Sequence, residues 1–160
     1  MDIKTFEGTG RQRVRKEKPY TKREVVDVIV KHPTLNKYLI QKNNNYDYIG
    51  FVRGGIEENE TPIIAGIREL KEETGFINVE FLYQMNDYYY YNFFAEAKDV
   101  NRNLKVYTIV VKLKDLKRVS VEEVEKKGIE LLWIDENKLK DTFKIDAMKY
   151  NVDRLIMNNR

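Results

Sequence analysis

The segment from Thr61 to Gly75 constrains this chain most, because both ends of a helix are written into it and its two faces disagree. Thr61 can cap the exposed amides of a helix whose first residue is Pro62, a position where proline is tolerated. Gly75 closes the helix in the left-handed conformation. At about 100° per residue, Ile63, Ile67, Leu70 and Thr74 form one stripe, while Glu69, Glu72 and Glu73 gather well away from it. The predicted helix, Pro62 to Thr74, therefore has one face for a core and another made of carboxylates. Like charges three and four residues apart repel by about 0.2–0.5 kcal/mol per pair. Such a face implies a cation.

The chain has 160 residues, no cysteine and one histidine, His32. Thiol nucleophiles, disulfide scaffolds and Cys/His zinc sites are excluded, and a metal would have to be held by oxygen, which suits Mg²⁺ or Mn²⁺. The length predicts one domain with a true core. No stretch approaches the roughly 20 apolar residues of a membrane span, and Met1 to Gly10 has no apolar signal core, so the expected location is the cytoplasm.

Charge is segregated. From Arg11 to Arg23 seven basic residues stand against Glu17, whereas from Gly54 to Phe76 six glutamates stand against Arg68 and Lys71. The expected organisation is a basic N-terminal arm, residues 1–18, ahead of a single domain over 19–160. The arm reads either as a solvated, frayed terminus or as a contact for RNA or tRNA.

Around the acidic helix, Val25 to Val30 reads as a buried strand, with Lys37 to Gln41 as the second arm of a hairpin with it. Further strands are expected at Tyr48–Val52, Val79–Met85, Tyr88–Ala95, Val106–Leu113 and Glu130–Ile134. Gly54-Gly55 and Lys98–Arg102 read as turns, and a closing amphipathic helix runs from Asp146 to Met157. Strands on both sides of a central helix predict an α/β chain with a mixed sheet between helices.

Gly54, five residues, Glu60, seven residues, then Arg68-Glu69-Leu70, one residue, Glu72-Glu73, one residue and Gly75-Phe76 resembles the Nudix box position for position. The resemblance implies a Nudix-type α/β/α sandwich and a hydrolase dependent on Mg²⁺ or Mn²⁺. Such an enzyme cleaves a diphosphate linkage in a nucleoside diphosphate derivative: a modified nucleoside triphosphate, a dinucleoside polyphosphate or a 5′-phosphorylated RNA end. It also implies that Glu69, Glu72 and Glu73, with the Gly54 carbonyl, hold metal, that Arg68 orients the carboxylates, and that Glu60 supports the loop–helix junction. Glu122 or Glu123, from a later acidic loop, would reach the metal. The base that activates water is one of the box glutamates, Glu123, or a metal-bound group.

Two departures from the pattern stand beside the box. Val52-Arg53 replaces the usual Pro-Gly, so Arg53 either faces the phosphates or lies on the surface, and Asn59 stands where glycine is usual. In Tyr88 to Tyr91, alternate tyrosines share a face, and Tyr88 and Tyr90 are the pair expected to stack on a base while the other pair packs. Pieces from Lys18-Pro19 to Trp133, among them Ile29-Val30-Lys31-His32 and Lys98 to Arg102, are also similar to Nudix modules attached to some leucyl-tRNA synthetases. That second likeness leaves a different reading open, a non-catalytic module that binds a nucleotide or tRNA.

Overall fold

Two long parallel strands form the spine of the protein. In the computed structural model, which describes residues 2–45, 48–121 and 128–159, the strands are β1 (Thr5–Glu7), β2 (Tyr20–Lys31), β3 (Lys37–Asn43), β4 (Tyr48–Gly50), β5 (Val52–Gly55), β6 (Val79–Gln84), β7 (Tyr89–Ala95), β8 (Val100–Leu113) and β9 (Ile129–Asp135). The helices are α1 (Pro62–Thr74), α2 (Leu139–Thr142) and α3 (Asp146–Asn158).

β2 runs parallel to β8 from Tyr20↔Asn101 to Lys31↔Lys112. The far edge of β8 carries β7 along its first half and β6 along its second, both antiparallel. The far edge of β2 carries β5, from Val25↔Gly55 to Val28↔Val52, and then meets β3 only at Lys31↔Tyr38. β3 in turn pairs with β4 and β9. The sheet is mixed, as expected, and β2 turns back antiparallel into β3 through the His32 amide on the Lys37 carbonyl, but the two pair only beside the turn, and Val25–Val28 is bonded to β5 instead.

Alternation along β2 sorts its side chains into two layers. Val26, Val28 and Val30 join Ile109 and Val111 of β8 against Ala65 and Leu70 of α1. Val25 and Ile29 join Tyr89, Val106 and Val110 against Ala147, Met148, Val152 and Leu155 of α3. Helices thus cover both faces, the α/β/α arrangement the sequence predicts. Gly66 sets how closely α1 approaches: a Cβ there would lie 2.4 Å from Ile109 Cδ1. Because Gly66, Ala65 and Leu70 define the inward line, Ile67 sits at the edge, 36% exposed, rather than in the buried stripe.

The predicted turns also shift. Gly54 and Gly55 are part of β5, not a turn. Lys98–Arg102 turns only as far as Asp99 (φ 53°), after which β8 begins at Val100. The N-terminal residues are no frayed tail: β1 pairs in parallel with β7, from Thr5↔Tyr90 to Glu7↔Asn92. Buried Asn101 donates to the carbonyls of Arg15 (2.6 Å) and Lys18 (3.0 Å) and accepts from the Arg15 amide (3.0 Å). Arg11 and Lys18 pair with Glu96 and Asp99. His32 accepts the Thr34 and Leu35 amides on Nδ1, both at 3.1 Å, and so caps the turn after β2.

Candidate active site

Local chemistry builds the site from the helix start outward. Thr61 Oγ1 accepts the Ile64 amide, and Gly75 takes φ 84° with its amide donating to the Lys71 carbonyl, so α1 begins and ends where the sequence predicts. Ahead of it, Glu60 closes a tight loop by accepting the Glu57 amide at 2.8 Å, with Asn59 in the left-handed conformation at φ 68°.

Arg68 ties the acidic groups together. Its Nε and Nη2 donate to the two oxygens of Glu60, each at 2.8 Å, and Nη2 also donates to the Gly55 carbonyl at 2.9 Å. Its Nη1 donates to Glu69 at 2.9 Å and Glu72 at 3.1 Å. The Arg68 hydrogen bonds, followed by the Glu57 amide, hold the Glu60 carboxyl down at about 2. Burial pushes Glu69 up, against the pull of Arg68. Glu69 is thus a partly desolvated carboxylate kept beside a cation, a group with unmet demand for positive charge.

Glu69 lies directly on β5. A Cβ at Gly54 would fall 1.9 Å from Glu69 Cδ and 2.0 Å from Cγ, so the space denied to a side chain at 54 is filled by this carboxylate. The carbonyl expected to point at a metal is another matter. The Ile56 amide donates to Glu24 on β2, and peptide groups alternate along a strand. The peptide groups of Gly54 and Ile56 therefore face β2, and those of Arg53 and Gly55 face the opposite edge, where Arg68 meets the Gly55 carbonyl. The outward carbonyl beside the carboxylates belongs to Arg53, not Gly54.

Glu72 is exposed and Glu73 partly buried on the same helix. Among the described residues no three acidic or imidazole groups are gathered closely enough to hold a metal ion. Arg68 Nη1 stands between Glu69 and Glu72 and explains that spacing. The donor set itself fits a hard divalent cation: carboxylates and carbonyls only, with Glu69 partly desolvated. Glu122 and Glu123 lie outside the described residues.

The remaining expected residues separate. Arg53 is neither a surface residue nor gathered with Glu69: it points into the α3 layer, where Nε meets Asp27 at 2.6 Å and Nη2 donates to Tyr89 Oη at 3.0 Å. Asp27 is fully buried and also accepts Asn151 Nδ2 at 2.9 Å. Asn151 and Thr108 are bound by Arg154, which reaches Asp87 at 2.7 Å. This buried polar chain escaped sequence reasoning, although Asp27, a lone charge inside Val25–Val30, was its visible sign. Tyr88 and Tyr90 lie on the other face, with α1, where their rings meet edge-on at 5.7 Å and Lys105 Nζ sits 4.3 Å from the Tyr88 ring. The pair beside Arg53 is Tyr89 and Tyr91.

The family model for the NUDIX domain matches residues 21–155. Among curated proteins, the chain is 30% identical over 121 residues to the mRNA-decapping enzyme subunit 2 of Saccharomyces cerevisiae, an alignment covering 72% of this chain and 11% of that protein. It is 44% identical over 41 residues to the RNA pyrophosphohydrolase of Bartonella quintana, covering 26% of this chain and 24% of that one. The chain thus spans about a ninth of the length of the yeast protein. Among solved structures, the Escherichia coli dihydroneopterin triphosphate pyrophosphohydrolase aligns with TM-score 0.63 at 15% identity, over 88% of this chain and 99% of that one. The Caenorhabditis elegans Ap4A hydrolase aligns with TM-score 0.62 at 13% identity, over 88% and 100%. At such identities these two likenesses speak for the fold alone.

Proposed function

The chain belongs to the Nudix family, and from that premise we propose that it hydrolyses a phosphoric anhydride at the 5′-phosphorylated end of RNA, with Mg²⁺ or Mn²⁺ held by the α1 carboxylates. One observation carries the reading: Arg68 draws Glu60, Glu69 and Glu72 to the edge of β5, with the Glu69 carboxylate pressed on Gly54. The curated relatives named above are an mRNA-decapping enzyme subunit and an RNA pyrophosphohydrolase, which favours an RNA substrate over a free modified nucleotide or a dinucleoside polyphosphate.

Each residue then has a task. Glu69, Glu72 and Glu73 would hold the ion, assisted by an outward carbonyl of β5. The bound ion would neutralise phosphate oxygens and acidify a water. Arg68 orients Glu69 and Glu72 through Nη1 and anchors the loop through Glu60 and the Gly55 carbonyl. In the reaction a water oxygen bonds to phosphorus, the bridging P–O bond breaks, and the water proton passes to a nearby carboxylate while the second phosphate leaves.

The test is a panel of 5′-triphosphorylated and capped RNAs, nucleoside triphosphates and dinucleoside polyphosphates, incubated with Mg²⁺ or Mn²⁺ and read by phosphate or nucleotide release. The expected result is metal-dependent turnover of RNA ends, lowered about 10²-fold or more by Glu73→Gln with an unchanged melting curve. Undiminished turnover by that variant removes Glu73 from the site. Tight binding without turnover by the parent chain would make it a nucleotide- or tRNA-binding module instead.

A further inference from the structure

Helix α1 covers only part of its side of the sheet. Below Val26 on β2 the same face continues, uncovered by any described helix, through three cross-strand rows fixed by the pairing registers. Glu24, Lys105, Tyr90 and Thr5 form the first and Lys22, Asn103, Asn92 and Glu7 the second; in the third, Asn101 and Phe94 are buried beneath the segment that carries Arg15 and Lys18, and only Tyr20 is left open. Tyr107 pairs with Val26 and so borders α1, and Tyr88 packs beside it with rings 5.8 Å apart. None of these side chains is aliphatic.

Cations are interleaved with the rings. Lys105 sits over Tyr88 (4.3 Å) and Tyr107 (5.3 Å), Arg15 lies over Phe94 at 4.0 Å, and Lys22 is exposed beside Tyr20, itself 56% exposed. Both acids on the face are already engaged, Glu24 by Lys105 at 3.8 Å and Glu7 by Asn92 at 3.1 Å. A protein partner favours an apolar patch centre; alternating rings, amides and cations suit unstacked bases and a phosphate backbone.

The position is as telling as the composition. Tyr107 is two strands from Gly54 through Val26, which at about 4.8 Å per strand puts the platform about 10 Å from the carboxylate site. Four strands, β1, β7, β8 and β2, give a face of the kind on which single-strand binders stack two or three bases.

We propose that the open face of β1, β7, β8 and the first half of β2 is a docking platform for single-stranded RNA, which lays the nucleotides following the 5′ end on Tyr107, Tyr88, Tyr90 and Tyr20. This rests on the RNA-end reading of the active site. Of the basic N-terminal residues, Arg11 and Lys18 are paired with Glu96 and Asp99, while Arg15 borders the face beside Lys22 and Lys105.

The test measures binding of a 5′-hydroxyl RNA octamer by fluorescence anisotropy in EDTA, so neither a metal nor a scissile anhydride is involved. The expected outcomes are a steep fall of affinity with salt, a weakening of about tenfold for Tyr20→Ala, and a salt slope reduced by about 0.7 for Lys22→Ala. Both side chains are exposed, so melting curves should match the parent chain. No binding of the octamer, equal binding of an RNA duplex, or an affinity unchanged by Tyr20→Ala would overturn the platform. Loss of hydrolysis in the panel above with octamer binding intact would overturn the reaction and leave the platform standing.

Discussion

Replacing Gly54 by alanine separates a site residue from a packing residue. The new Cβ would fall 1.9 Å from Glu69 Cδ, so that carboxylate must retreat by roughly 1.5 Å to restore an ordinary contact of about 3.5 Å. Glu69 is a flexible side chain, and an off-rotamer adjustment costs about 0.5–1.5 kcal/mol. The expected stability loss is therefore about 1 kcal/mol, a fall in Tm of about 2–4 °C for a chain of this size. Catalysis suffers more, because a 1 Å misplacement of a reacting group lowers the rate about 10²-fold, equivalent to roughly 2.7 kcal/mol. Gly55→Ala is the comparison: its Cβ would meet Arg23 Nη2 at 2.3 Å, the end of an exposed side chain that can swing away at the loss of only a weak attraction to Glu69. The assay is kcat/KM with Mg²⁺ on the best substrate of the panel, beside thermal melting of all three chains. Equal kcat/KM in Gly54→Ala and Gly55→Ala would refute the placement of Glu69 in the site. A Gly54→Ala chain that fails to fold would refute the claim that only a side chain is displaced.

Asp27→Ala should destabilise the fold by about 3–5 kcal/mol in urea titration, since it strands Arg53, Tyr89 and Asn151 in the α3 layer; a loss under 1 kcal/mol would mean the buried pair relaxes into water. Deleting residues 2–18 removes β1 and the Asn101 hydrogen bonds to Arg15 and Lys18, at about 0.5–1.5 kcal/mol for each bond lost, so Tm should fall by several degrees, and an unchanged melting curve would show that the segment is not docked. The Glu60 carboxyl, held at about 2 against an ordinary 4.5, stabilises the folded chain fully above pH 4.5 and loses that contribution as pH falls towards 2. Glu60→Gln should therefore flatten the fall of Tm between pH 4.5 and 2, and an unchanged profile would show that Arg68 does not hold the loop through Glu60.

What could be read from sequence was what short-range chemistry decides. The limits of α1 follow from Thr61, Pro62 and Gly75 within one turn each, and the structure reproduces both ends. The strands were visible as runs, but their partners were not. Val25–Val30 has β8 along one edge and β5 along the other, with α1 and α3 over its two faces, so the nearer Lys37–Gln41 meets β2 only beside the turn. β1 was invisible for the opposite reason. Three residues, two of them polar and exposed, carry no periodic signal and are held only by the edge of β7.

The tyrosines show where periodicity stops. Alternation says that Tyr88 and Tyr90 part from Tyr89 and Tyr91, but not which pair turns towards α1. That choice is made by a charge. Asp27 lies in the α3 layer and is satisfied only if Arg53, Tyr89 and Asn151 turn to the same side. Once they do, alternation along β5 sends the Gly54 side to α1 and leaves its α-carbon bare for Glu69, while the Arg53 carbonyl looks out along the strand edge. One strand therefore serves two layers. The guanidinium of Arg53 is anchored on the α3 side so that its backbone is fixed on the α1 side, and the register of β5 against β2 is set by the Asp27–Arg53 pair. A one-residue slip would turn Arg53 under α1 and Glu69 off the sheet, so the buried Asp27–Arg53 pair favours the register that seats Glu69 on Gly54.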